Sequence, residues 1–137
     1  MQKGRSFEKQ IEKVLAHINS IGGHAHKNHP QRLADGRYIQ GESFDYECFL
    51  KEYKACFDAK TVQGSTWKIV EKDIKQAENL KHCKNSGLKA YFLICFDGND
   101  VRELDVDIVI ETLKRNKKSI KKDGLPKWSL LDILKEV

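Results

Sequence analysis

The sequence lacks the short motifs that mark several common classes of protein. It contains no glycine-rich loop of the kind that binds phosphates, and no serine or cysteine motif typical of nucleophilic hydrolases. Its four cysteines form no CxxC pair, and three of them lie in apolar, strand-like runs. We therefore expect reduced and mostly buried thiols rather than disulfides.

Long hydrophobic runs are absent as well. No stretch approaches the roughly 18 uninterrupted apolar residues that suggest a membrane helix. The first residues, MQKGRSFEKQ, lack the apolar stretch of a secretory signal. We expect no membrane partner and a cytoplasmic protein, in a bacterium or a phage-infected host.

The composition is that of a globular chain with a small excess of positive charge. A chain of 137 residues with 39% hydrophobic residues predicts a single domain over residues 1–137. The net charge of +5 is only a weak indication of polyanionic partners. Residues 114–122, KRNKKSIKK, are more informative, because six cations without an acid favour contact with phosphates.

Hydrophobic periodicity predicts an α/β domain in which helices flank a mixed central sheet. The predicted helices span residues 6–21, 69–83, 106–115 and 129–137, and the predicted strands span residues 44–50, 53–59, 88–96 and 101–105. Residues 24–43 show little periodicity and hold three histidines and a proline. Because a loop of this length is uncommon in a compact domain unless it is functional or mobile, we expect an exposed arm there.

Two aspartates and a lysine are placed to meet on the predicted hairpin. Asp45 lies near the start of its first strand and Asp58 at the end of its second, with the turn at residues 51–52. In an antiparallel pair these two positions are neighbours. Strand alternation puts Lys60 on the same face as Asp58. The hairpin therefore predicts a cluster of two carboxylates and one ammonium group.

Such a cluster suits the hydrolysis of phosphodiesters. Two neighbouring carboxylates make a hard-oxygen site for Mg²⁺ or Mn²⁺. A bound cation polarises a phosphate and lowers the pKa of a bound water, and a lysine can orient or deprotonate the nucleophile or stabilise negative charge. The structural alternative is that the aspartates are turn or capping residues and the lysine forms a surface ion pair.

The pattern D…[D/E]xK on a hairpin between two helices resembles the PD-(D/E)xK nuclease superfamily. Within it, residues 44–125 resemble the RecU-type Holliday junction resolvases. The matching segments are FDY, FDAK, KQ with Leu80, the AYFLICF strand and KSIKKDGL. The resemblance implies a restriction-endonuclease-like core and a homodimer that cuts four-way DNA symmetrically in recombination and repair.

The resemblance also implies roles for particular residues. Asp45 and Asp58 would be metal ligands together with the backbone carbonyl of Ala59, and Lys60 would be the catalytic lysine. Gln76 would be the helix glutamine that supports the active site.

Glu8, on the first helix, would bring a further carboxylate to the metal, directly or through water. The chain also departs from the family's pattern, which usually has glutamate at the position of Asp58 and a long stalk in place of residues 24–43. Its small size would suit a compact, phage-encoded version.

Several other polar and aromatic residues are candidates for binding or structural roles. The candidate DNA contacts are Lys27, Arg32, Arg37, Lys114, Arg115, Lys117, Lys118, Lys121 and Lys122. The histidines at positions 24, 26 and 29 suggest zinc, but no fourth ligand is evident, so we interpret them as part of a polar loop. The acids Asp97, Asp100, Asp105 and Asp107 are interpreted as turn and cap residues, and Trp67 and Trp128 as core or rim residues.

The leading hypothesis is a Mg²⁺-dependent endonuclease that resolves Holliday junctions as a homodimer. Two alternatives stay open. One is a nuclease of the same fold that acts on other duplex or branched DNA. The other is a DNA-binding module of this fold that lacks catalysis, although intact Asp45, Asp58 and Lys60 argue against it.

Overall fold

The computed structural model describes residues 3–28, 31–32, 38–39 and 44–136. The helices are α1 (Lys3–Ser20), α2 (Glu71–Asn85), α3 (Val106–Lys114) and α4 (Ser129–Lys135). The strands are β1 (His24–Lys27), β2 (Gln31–Arg32), β3 (Tyr38–Ile39), β4 (Tyr46–Leu50), β5 (Tyr53–Val62), β6 (Thr66–Lys68), β7 (Lys89–Phe96), β8 (Asp100–Asp105) and β9 (Ser119–Lys121). None of the helices described combines the length and the apolar character needed to cross a membrane.

Five strands form a mixed central sheet in the order β1-β4-β5-β7-β8. β5 and β7 are parallel, and the other neighbours are antiparallel. The predicted hairpin is confirmed in its register, since Tyr46 lies opposite Phe57 and Leu50 opposite Tyr53. Two further ribbons, β2–β3 and β6–β9, lie outside this sheet.

Each face of the sheet carries its own hydrophobic core. Tyr91 and Leu93 of β7 pack with residues of α1 and α4. The alternating residues Phe92 and Ile94 pack with residues of α2 and α3 on the other face. Because β7 is buried on both faces, its sequence is a continuous apolar run rather than an alternating one. The helices therefore cover both faces of the sheet, as predicted.

The strands differ from the prediction mainly near the end of β5. This strand continues three residues past the predicted end, because its parallel partner β7 supplies hydrogen bonds as far as Val62 opposite Phe96. The short strands β6 and β9 were not predicted. Each has three residues and a single buried side chain, Trp67 in one and Ile120 in the other, which is too short a pattern to detect. Trp67 and Trp128 are both buried, as expected.

The prediction of an exposed arm over residues 24–43 is wrong at its start. His24–Lys27 form the edge strand β1, which pairs with β4. Only Ala25 of this strand is buried, so the alternation was too weak to predict it. Asn19 of α1 secures the strand, because its side-chain amide accepts a hydrogen bond from the Ala25 N–H and donates one to the Ala25 carbonyl, each at 2.9 Å. Of the rest of the predicted arm, the described residues are Asn28 and the short strands β2 and β3.

The interpretation of Asp100 as a turn or cap residue is also wrong. Its carboxylate is 2.7 Å from the Arg102 Nε, 2.8 Å from the Lys127 Nζ and 3.0 Å from the Lys122 Nζ. Hydrogen bonds from Arg102 first, then from the two lysines, hold the pKa of Asp100 well below its usual value. Two of the partners lie more than twenty residues away in sequence, so local patterns could not indicate them. The predicted capping role of Asp105 is confirmed, since its side chain accepts a hydrogen bond from the N–H of the second residue of α3.

Candidate active site

The two aspartates of the hairpin meet at the open end of the β4–β5 pair. Asp45 occupies the bend just before β4, and its backbone N–H donates a hydrogen bond of 2.7 Å to Oδ1 of Asp58. The side chain of Asp45 turns back toward β5, where its Oδ2 lies 3.4 Å from the backbone nitrogen of Ala59. The structure therefore brings together the two carboxylates that the hairpin register predicted.

Asp58 is the most unusual group of this cluster because it is a carboxylate inside the sheet. Its side chain is 1% exposed, and its Oδ2 has no hydrogen-bond partner among the described residues. Burial first, and then the negative charge of Asp45, raise the pKa of Asp58 to about 7. A buried acceptor without a partner is costly and requires a physical explanation, and a ligand that binds here is one.

Lys60 points from the same face of β5 toward helix α2. Its Nζ lies 2.7 Å from Oδ1 of Asp73 and donates a hydrogen bond to Oε1 of Gln76. Both acceptors sit on the first turns of α2, three residues apart, and therefore on one side of the helix. The structure thus places Gln76 beside the predicted catalytic lysine.

Asp73 is a site residue that reasoning from the sequence missed. It is buried, and its second oxygen accepts a hydrogen bond of 2.9 Å from the N–H of Val70 at the start of α2. This carboxylate therefore caps the helix and pairs with Lys60 at the same time. The sequence offered one signal, an acid in the first turn of α2 at helical spacing from Gln76, but the contact with Lys60 depends on how α2 packs on the sheet.

A pocket of about 260 Å³ opens beside these groups. It is lined by Phe7, Glu8, Lys27, Asp45, Tyr46, Ala59, Lys60 and Thr61. Glu8 reaches it from α1, with its Oε1 3.4 Å from the Lys27 Nζ. Tyr46 presents a buried hydroxyl that lacks a partner in the described part of the chain, and burial raises its pKa above the usual value. The pocket therefore lies between α1 and the hairpin.

The donor atoms around the pocket fit a hard divalent cation. Glu8 and Asp45 line the pocket and Asp58 lies beside Asp45, so carboxylate oxygens are available, and Mg²⁺ and Mn²⁺ prefer oxygen ligands. The unpartnered Oδ2 of Asp58 is the specific observation that fits a bound cation. A cation would also relieve the repulsion between Asp45 and Asp58.

The cationic segment at residues 114–122 is linked through β6 to the strand that carries Asp58 and Lys60. β9 pairs with β6, which follows directly after β5 and leads into α2. The backbone N–H of Ile69 donates to the carbonyl of Lys118 at 2.7 Å, and the N–H of Lys122 donates to the carbonyl of Ser65 at 2.8 Å. The exposed cations of this segment are Lys114, Arg115, Lys117, Lys118 and Lys121.

Three of the predicted DNA contacts do not belong to these exposed cations. The ammonium group of Lys122 is held by Asp100, so this lysine has a structural partner. Arg32 lies in β2, but its side chain is outside the part of the chain that is described, and Arg37 lies wholly outside it.

Comparison with known proteins identifies relatives of this chain. A family model described as Recombination protein U matches residues 2–131. Among solved structures, the chain is similar to Hjc, a Holliday junction resolvase from the archaeon Archaeoglobus fulgidus, with a TM-score of 0.55 and 13% identity. That alignment covers 88% of this chain and 94% of Hjc, and it confirms the predicted restriction-endonuclease-like fold. No curated protein matches the sequence significantly.

The raised pKa of Asp58 predicts a stability that depends on pH in the metal-free protein. Between about pH 4 and 7 the folded protein holds a proton on Asp58 that the unfolded chain has already lost. Folding then takes up a proton, so the free energy of unfolding should fall as the pH rises through this window. Urea unfolding in the presence of a chelator measures this change.

Asp58→Asn should remove most of this pH dependence, because an amide does not titrate. Asp132→Asn is the matched control, since Asp132 is an exposed carboxylate on α4 and should leave the pH dependence as it is. Parallel pH profiles for the original protein and Asp58→Asn would contradict the prediction.

Proposed function

We propose that this chain, which belongs to the recombination protein U family, is a metal-dependent endonuclease that resolves four-way DNA junctions. In this proposal residues 1–137 form one nuclease domain that acts as a homodimer and cuts two strands symmetrically. Its fold is shared with a protein whose name states that it is a Holliday junction resolvase. The family match and the fold support the choice of branched DNA as substrate.

The observation that carries the proposal is the buried carboxylate of Asp58 beside Asp45. Two neighbouring acids would repel a phosphate, so they are unfavourable in a protein that only binds DNA. A hydrolytic site needs them, since they can hold a cation against a phosphate. Lys60 on the same strand completes the set of charges such a site requires.

The proposed cation is Mg²⁺, with Mn²⁺ as a substitute. Asp45 and Asp58 would hold it together with the carbonyl of Ala59, and Glu8 would add a ligand directly or through water. When bound, the cation supplies Lewis-acid polarisation of the phosphate and a water with a lowered pKa. The neighbouring Lys27 holds Glu8 at the rim of the pocket through their contact of 3.4 Å.

Lys60 is the residue whose action the structure constrains most closely. An ammonium group has three N–H donors, and Asp73 and Gln76 accept two of them. The third remains for a ligand in the pocket that Lys60 lines. We propose that this donor binds a non-bridging phosphate oxygen or the attacking water, with Asp73 and Gln76 fixing its direction.

Cleavage assays with a labelled four-way junction and a linear duplex test the proposed function. With Mg²⁺, two strands of the junction should be cut at symmetric positions, and the duplex should remain intact. Asp58→Asn should abolish cutting while junction binding is kept or strengthened, because a negative charge near the phosphate is removed.

Asp132→Asn should cut like the original protein, and gel filtration should give the mass of a dimer. Equal cutting of junction and duplex would exclude the resolvase. Full activity of Asp58→Asn would exclude the proposed site.

Asp73→Asn tests whether this acid directs Lys60. The variant keeps a side chain of the same size but removes the charge that pairs with the ammonium group. We expect the rate of cutting by bound protein to fall about 10- to 100-fold, because a reacting group that is no longer oriented reacts more slowly on this scale. Junction affinity should be kept or strengthened, because this change also removes a negative charge near the phosphate.

Glu71→Gln is the control, since Glu71 is an exposed acid in the same first turn of α2. Asp73→Glu should restore part of the rate. A loss of junction affinity with an unchanged rate would count against a role in catalysis.

The cations of the segment at residues 114–122 are proposed to bind the DNA backbone. Replacing Lys117, Lys118 and Lys121 by glutamine should weaken binding to every DNA and make it less sensitive to salt. The slope of log K against log salt should become shallower by about 0.9 for each phosphate that the protein no longer neutralises. Titrations at several salt concentrations measure that slope.

A matched triple variant replaces three exposed lysines outside the segment by glutamine. These are Lys51 and Lys54 near the turn of the hairpin and Lys135 on α4. The control should keep both the affinity and the salt slope. Equal losses of DNA affinity in the two triple variants would show that binding depends on the total charge of the protein and not on this segment.

A further inference from the structure

A second group of metal-ligating side chains lies on β1 and β4, outside the candidate active site. His24 and His26 alternate with the buried Ala25, so both imidazoles project from the face of β1 that α1 does not cover. Glu47 of β4 is directly opposite His26 in the antiparallel register. Each of the three residues offers a ligand atom, and no two of these atoms are more than 4.8 Å apart.

The distance between two of these ligand atoms is close to the spacing of ligand atoms around a bound metal ion. The His26 Nε2 lies 2.9 Å from the Glu47 Oε1. In a tetrahedral zinc site with bonds of about 2.0 Å, neighbouring ligand atoms are roughly 3.3 Å apart. These two atoms therefore need to separate only slightly to bind one ion. The ring of His24 lies edge-on to that of His26, with centroids 5.0 Å apart, and it is exposed enough to rotate toward the same point.

We propose that His24, His26 and Glu47 form a binding site for a transition-metal cation such as Zn²⁺, Ni²⁺ or Co²⁺. Imidazole nitrogens select these ions, whereas the carboxylate pocket at Asp45 and Asp58 suits harder cations. Two histidines and a glutamate are a known donor set for zinc, with a water in the fourth position. The sequence alone did not indicate this site, because its third ligand comes from a neighbouring strand.

A cation at this site would fasten the edge strand β1 to β4. That pairing continues to the bend just before β4, where the N–H of Asn28 donates to the carbonyl of Asp45 at 2.8 Å. The side chain of Asn28 also donates to the carbonyl of Phe44 at 3.1 Å. The bound ion would therefore stabilise the strand pair that holds Lys27 and Asp45 in place. An ion that binds only the folded protein also raises its stability by mass action.

Calorimetric titration of the full chain with ZnCl₂, in excess MgCl₂ to occupy the carboxylate pocket, tests the site. We expect one zinc ion per chain and a higher melting temperature with zinc. His24→Gln, His26→Gln and Glu47→Gln should each weaken binding by more than about tenfold, since removing even a group that supports a metal ligand has an effect of that size. His17→Gln, an exposed histidine on α1, is the control and should leave binding unchanged.

His24→Gln is the decisive variant, because it leaves the contact between His26 and Glu47 intact. Unchanged zinc affinity in His24→Gln would overturn the proposal. So would the loss of zinc binding in Asp45→Asn, which would place the ion in the carboxylate pocket. Retention of zinc binding in Asp45→Asn, together with its loss in His24→Gln, supports a separate site whether or not the protein cleaves DNA.

Discussion

The buried carboxylate of Asp58 is the constraint on which the candidate site depends. Water is excluded from it by the sheet, Asp45 repels it electrostatically, and one of its oxygens lacks a partner among the residues described. The backbone N–H of Asp45 donates a hydrogen bond to the other oxygen and so offsets part of the cost of burying this carboxylate. An isolated buried charge is strongly unfavourable, which raises the pKa of Asp58, and a cation bound beside Asp45 would offset that cost.

Strand alternation in β5 organises the rest of the site around that carboxylate. Phe57 belongs to the core under α1 and α4, whereas Asp58 and Lys60 point to the opposite face, where α2 lies. The first turn of α2 then meets Lys60 with Asp73, which is also the residue that caps the helix. One carboxylate thus fixes both the start of the helix and the position of the ammonium group, so the packing of α2 and the geometry of the site are linked.

How much could be predicted from the sequence depends on how local each contact is. The meeting of Asp45 and Asp58 follows from a two-residue turn and strand alternation, so it was predictable. The pairing of Lys60 with Asp73 depends on the packing of a helix, and that of His26 with Glu47 on an edge strand with one buried residue. Local periodicity carries no signal for either contact. The ion pairs of Asp100 with Lys122 and Lys127 were missed for the same reason, since these lysines are distant from Asp100 in sequence.

The parallel pairing of β5 with β7 has a consequence for the order in which the molecule assembles. A hairpin such as β4–β5 can close locally, but a parallel partner requires the intervening crossover of β6 and α2 to be in place first. Until then Asp58 remains hydrated, and the desolvation of its carboxylate belongs to the late step of folding. A divalent ion that bound more tightly as the carboxylate became buried would lower the barrier of that step, so refolding kinetics would respond to the metal.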